Sequence, residues 1–214
     1  MIIPIPIKLV IMAVFYTVFK VIVYHDVVEK YRWFGMLAEG EALHLQIFVV
    51  DSLFNLQQIM FIQTFFFVMY LFVTHKPITT PTFILRCQPH YFRKLLKMGL
   101  KRAGSYSIFV ILVSTLIPII YGSPIEFDIG YFVTSLQFFL IIWTMFLIYV
   151  TLLLVIKQEV LSMIGIGVIN FVISVATLAT WSDFVEMVVL NLYIVLGMGL
   201  MGFIYFKCKK GEFI

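Results

Sequence analysis

"FFLIIWTMFLIYVTLLLVI", residues 138–156, runs for 19 positions without a charge, a glycine or a proline. A membrane-spanning helix needs roughly 20 mostly apolar residues, since a rise of about 1.5 Å per residue must cover a hydrocarbon layer about 30 Å thick. A strand of a transmembrane barrel would instead alternate apolar and polar side chains over about 10 residues. The quoted run does not alternate, so it reads as a membrane helix and excludes a barrel.

Working outward, that stretch belongs to an apolar run at about residues 131–156, and comparable runs lie at about 4–24, 47–74, 105–121, 159–180 and 186–206. Composition agrees: 63% of residues are apolar and only 12% charged, with a mean hydropathy of +1.08, whereas soluble domains carry about 25% charged residues. The expectation is one all-α integral membrane domain over residues 1–214, with six transmembrane helices. The first run has neither a charged start before "MIIPIPIK" nor a small-residue cleavage site near its end, so it reads as a retained helix rather than a secretory signal. Lys20 is its weak point. A tilted or interfacial placement, with the lysine snorkelling to a boundary, is the alternative, and leaves five spans.

Basic residues set the orientation, because cytoplasmic loops near spans are enriched in Lys and Arg. With the N-terminus inside, twelve of them face the cytoplasm, from Lys8 through Lys76, Arg86 and Lys157 to Lys207, Lys209 and Lys210, against Lys30 and Arg32 outside. Both termini are then cytoplasmic. The outer segments are acidic, with Asp26, Glu29, Glu39, Glu41, Glu126, Asp128, Asp183 and Glu186. Cys87 and Cys208 face the reducing cytosol, and no disulfide is expected.

Two segments outside the bilayer are long. The outer one, His25 to Leu45, mixes acids with Tyr31, Trp33 and Phe34 and reads as a re-entry loop or an interfacial helix. The inner one, residues 75–104, contains "ILRCQPHYFRKLLKMGLKR" (Ile84 to Arg102), which holds six of the 15 Lys and Arg residues and no acid. Its lead-in carries Pro77 and Pro81 and reads as extended. After Pro89, Phe92, Leu95, Leu96 and Leu100 recur at helical spacing, with Arg93, Lys97 and Lys101 on another face. That predicts a short basic amphipathic helix on the cytoplasmic surface, running into the third span at about Ser105. Positive-inside topology explains its charge without nucleic acid.

Chemistry-bearing residues are sparse. No G-x-S-x-G, H-E-x-x-H or Walker motif occurs, the histidines are scattered, and no catalytic or metal-ligating residue is expected. "GMGLMG", Gly197 to Gly202, matches G-x-G-x-x-G but lies within the last span, where such glycines allow close helix approach rather than pyrophosphate binding. The second span is the most polar, with Asp51, Asn55, Gln57, Gln58 and Gln63. Asp51, Asn55 and Gln58 follow i, i+4, i+7 and would share one face, lining a pathway or packing against a neighbouring helix. Asn170 and Asn191 read as single interhelical contacts.

The arrangement around "PTFILRCQPHYFRKLLKMGLKRAGSYSIFVILVSTL", Pro81 to Leu116, resembles the permease subunits of type-2 ABC exporters. The resemblance implies that the segment from about Gln88 to Lys101 is a coupling helix docked in a groove of a separate ATPase, with Pro89, Tyr91, Phe92, Arg93, Lys94, Leu95, Leu96 and Lys97 carrying the contact. It further implies two ATPase copies, which bind the ATP and Mg, and a second permease, identical or paralogous. The chain itself would bind no cofactor. The setting would be the bacterial cytoplasmic membrane, and the cargo a hydrophobic or amphipathic peptide or a lipid-like molecule. "MIIPIPIK" is short for the family's amphipathic elbow helix, and only "TWSDFVE", Thr180 to Glu186, stands where its re-entrant helices lie. Two other readings remain open: the substrate-binding membrane subunit of an energy-coupling-factor vitamin importer, and a non-transporting immunity or scaffold protein whose basic segment binds anionic lipid.

Overall fold

The computed structural model describes residues 5–44, 47–49, 53, 55–74, 89–123, 129–178 and 183–210. Helix α1 covers Ile5–Trp33. A π-helical turn at Gln58–Gln63 leads directly into α2, Thr64–Thr74. Then come α3 at Pro89–Ile120, α4 at Ile129–Ile156, α5 at Glu159–Leu178 and α6 at Asp183–Lys210. No strand occurs among the described residues. By length and composition five helices, α1 and α3 to α6, can cross a membrane, while the apolar helix Gln58–Thr74 is shorter. That is the architecture of a multi-pass membrane protein.

The helix built around the sequence quoted above, α4, is the hub. It is the most buried of the five long helices and packs against α3, α5 and α6, while α1 packs on α2 and α3, and α2 on α5. A Cβ on Gly99 of α3 would strike the Phe146 ring, and one on Gly197 of α6 would strike Thr144. Both neighbours therefore approach α4 at a residue with no side chain, as small-residue contacts between membrane helices do. The sequence expectation for the glycine run in α6 holds at Gly197 only, since Gly199 and Gly202 are exposed with nothing within 4 Å of an added Cβ.

Successive helices alternate in direction. Lys8 of α1 shares a groove with Phe72 and Val73 at the far end of α2, Phe92 at the start of α3 meets Tyr205 near the end of α6, and Thr115 late in α3 meets Tyr131 early in α4. The two ends consequently differ in charge. Lys8, the Arg93–Arg102 basic residues, Lys157, Lys207 and Lys209 gather at one, with the acid Glu159, while Asp26, Glu29, Glu39 and Glu41 lie at the other with Lys30 and Arg32.

Several boundaries depart from expectation. The first helix continues past residue 24 to Trp33, because Val27 and Val28 stay buried against Leu43, Phe48 and Ile117, and no breaker precedes Gly35. There the chain closes a Schellman cap, with Gly35 at φ 68°, its N–H on the Arg32 carbonyl and the Met36 N–H on that of Tyr31. Lys20 does not snorkel outward; it is fully buried in the bundle. The basic segment is not a separate surface helix either. Leu95, Gly99, Ala103, Tyr106 and Val110 form one buried stripe across Gly104 and Ser105, so α3 runs unbroken for 32 residues. The lead-in at 75–88, Asp51 and Thr180 lie outside the described residues, while Asp183–Glu186 form the first turn of α6.

Candidate functional site: a buried polar network at a π-to-α junction

Asn55, Gln57, Gln58 and Gln63 cluster just before α2, and the geometry of that segment follows from Asn55. That residue is not helical; its Oδ1 accepts the backbone N–H of Gln57 at 3.0 Å and of Gln58 at 3.2 Å, as a helix N-cap does. The helical count that would align Asp51, Asn55 and Gln58 therefore does not run through Asn55. Gln58 is half-buried, and its Oε1 has no hydrogen-bond partner among the described residues.

From Gln58 the helix is wound one residue wider than an α-helix, a form that is rare and concentrates at functional sites. The wide turn ends at Gln63 and Thr64, both essentially buried. Gln63 Nε2 donates to the Tyr16 hydroxyl at 3.0 Å, and the Tyr106 hydroxyl donates to Gln63 Oε1 at 2.9 Å. Thr64 Oγ1 donates back to the Ile59 carbonyl at 3.2 Å, five residues earlier, a partner that the widened turn brings into reach. Thr64 Oγ1 in turn accepts from Asn170 Nδ2 at 2.8 Å, and Asn170 Oδ1 accepts from the Tyr193 hydroxyl at 2.9 Å.

Two neighbouring residues thus hold two branches: Tyr16–Gln63–Tyr106 joins α1 and α3 to the π turn, and Thr64–Asn170–Tyr193 joins the start of α2 to α5 and α6. Met145 of the hub touches Thr64 through its sulfur at 3.7 Å. Lys20 lies one turn along α1 from Tyr16, its Nζ 5.9 Å from that ring. Each side chain in these two branches has a hydrogen-bond partner, which suits a buried polar cluster, where an unmatched group costs more than a matched one gains.

No family model, curated protein or solved structure matches this chain. What the site does must therefore be read from its own chemistry. Amides, phenols and a hydroxyl supply neither a nucleophile–base pair nor a metal cage, and no group of three His, Cys, Asp or Glu that could hold a metal occurs among the described residues. What the network can do is register six helices against one another at a single level.

At the basic end the segment singled out by sequence divides. Arg93, Lys94 and Lys97 are exposed and Leu96 is half-buried. Leu95 is buried in the main core, and the half-buried Phe92 meets the Tyr205 ring edge-on at 5.2 Å, while Leu100 faces out at 54% exposure. Of Pro89 and Tyr91 only the backbone is described, in the first turn of α3. Arg102, deeper on the same helix, and Glu159, at the start of α5, lie within electrostatic reach of the buried Tyr149 of α4.

Among network members, sequence reading mentioned Gln63 only for composition and Asn170 only as a single contact, and it missed Tyr16, Thr64, Tyr106 and Tyr193. A usable signal exists for two of them. Tyrosines in membrane proteins concentrate at the interfaces, and Tyr16 and Tyr193 stand well inside their apolar runs.

Proposed function

We propose that the chain is the membrane-embedded permease subunit of an ATP-driven transporter, with its basic end in the cytoplasm of a bacterial cell and six crossings of the cytoplasmic membrane. A separate ABC-type ATPase, in two copies, would bind the ATP and Mg, and a second permease, identical or paralogous, would complete the assembly. The observation that carries this reading is the continuity of α3. Its exposed cations Arg93, Lys94 and Lys97 sit on the same rigid helix as Tyr106, which bonds Gln63 at the centre of the bundle. A partner pressing on the basic end would move a lever tied to every other helix.

The docking contact in this proposal differs from the one the resemblance implies. Phe92 and Leu95 are engaged within the chain, so Arg93, Lys94, Lys97 and Leu100 are the groups open to an ATPase. Transported cargo would be hydrophobic or amphipathic, as the exposed phenylalanines and methionines of α1 and α2 favour such a molecule.

One observation favours a second reading, a non-transporting scaffold or immunity protein. With its apolar residues folded inward, the basic face can rest on anionic lipid at about 1 kcal/mol per cation. Co-expression with a candidate ABC-type ATPase, followed by detergent purification, separates the two. A permease yields a stable complex that hydrolyses ATP, and a scaffold yields the chain alone.

A further inference from the structure

An open groove of about 610 Å³ runs between α1 and α2. Phe15, Phe66, Met69 and Phe72 are among its walls, and among the described residues Lys8 is the single charged side chain in the lining. It extends along α1 from Lys8 to Phe19, roughly 16 Å at about 1.5 Å per residue. That is about half of a 30 Å hydrocarbon layer. Lys8 lies at the basic end, and the inner wall at Phe66 packs edge-on against Tyr16 at 4.9 Å, at the level of the polar network. The groove therefore covers one leaflet, from headgroup depth to the middle of the bundle.

We propose that this groove is a binding site for an acyl chain of an anionic membrane phospholipid, with the phosphate paired to Lys8. A polar solute has almost nothing to bond with along such walls. A helix from another protein is disfavoured as well: membrane helices approach closely at Gly, Ala, Ser and Thr, and none of these lines the groove among the described residues. A flexible chain fills the spaces between large rings that a helix cannot. Lys8 is half-buried at the mouth, where a cation selects a negative headgroup over a zwitterionic one. The site does not depend on the transporter reading, because its occupant comes from the bilayer.

The test is native mass spectrometry of the purified chain in detergent supplied with equal amounts of phosphatidylglycerol and phosphatidylcholine. Wild type should retain one phosphatidylglycerol in preference. Lys8→Gln should lower that preference about fivefold, and Lys8→Arg should keep it. Met69→Trp, which fills the groove, should release the lipid. A Phe15→Trp reporter gives a second reading without blocking the groove: brominated phosphatidylglycerol should quench it more strongly than brominated phosphatidylcholine. Equal retention of the two lipids, an unchanged preference in Lys8→Gln, full retention in a folded Met69→Trp, or equal quenching would overturn the proposal. So would a disulfide-linked dimer formed through Phe72→Cys in lipid, which would make a second copy the occupant.

Discussion

The Gln63 amide donates to the Tyr16 hydroxyl at 3.0 Å across 47 residues of sequence, and its carbonyl oxygen accepts from Tyr106 on the other side. One side chain thereby ties α1, α3 and the π turn before α2 at a single point. Gln63→Leu leaves two buried phenols without that partner, so it should cost more than either Tyr16→Phe or Tyr106→Phe. Hydrogen bonds between membrane helices are worth about 0.6 to 2 kcal/mol, and stranding a buried polar group about 1 to 3 kcal/mol. Reversible unfolding in mixed micelles should rank the three variants in that order; equal, negligible losses would mean the network does not hold the bundle.

The glycines of α6 make a sharper contrast. Gly197→Ala forces a methyl into Thr144, whereas Gly199→Ala adds one where nothing lies within 4 Å. The first should lose about 1 to 3 kcal/mol through overpacking, and the second should be neutral or gain slightly from the better helix propensity of alanine. Thermal unfolding of both in the same detergent decides it.

Lys157 adopts φ 60° in the two-residue link between α4 and α5, and its N–H bonds the Leu153 carbonyl as an αL helix cap does. A side chain in that region costs about 1 to 2 kcal/mol. Lys157→Gly should therefore raise the unfolding midpoint, while Lys157→Val should lower it.

How much of this was readable in advance depended on whether a feature is local. Phe138–Ile156 needs no partner to declare itself a membrane helix, and it became the C-terminal two thirds of α4. Lys20 appears out of place in a linear run, since only the packed bundle shows that its face of α1 is turned inward. Tyr106 stands at a span boundary in the linear run, and only the start of α3 at Pro89 sets it mid-helix. Asn55 shows how a periodicity count fails: a residue that caps a helix interrupts the spacing drawn through it. The pairing of Gln63 with Tyr16 and Tyr106, and of Asn170 with Thr64 and Tyr193, rests on contacts over 23 to 106 residues, and the one-residue offset of the π turn leaves no mark in composition.

Orientation is open to direct test. With the basic end inside, a cysteine introduced as Lys97→Cys in a chain lacking Cys87 and Cys208 should react with an impermeant maleimide only after the cells are opened. Glu39→Cys should react in intact cells. The reverse pattern would invert the topology.

The most direct test of the transporter proposal is charge reversal on the exposed face of α3. Arg93→Glu, Lys94→Glu and Lys97→Glu combined should leave insertion and thermal stability unchanged, since these side chains are exposed. The account predicts that wild type co-purifies with the ATPase and supports ATP hydrolysis, and that the triple variant loses both. An ATPase that binds the triple variant as well as it binds wild type, or one that binds neither, would contradict it.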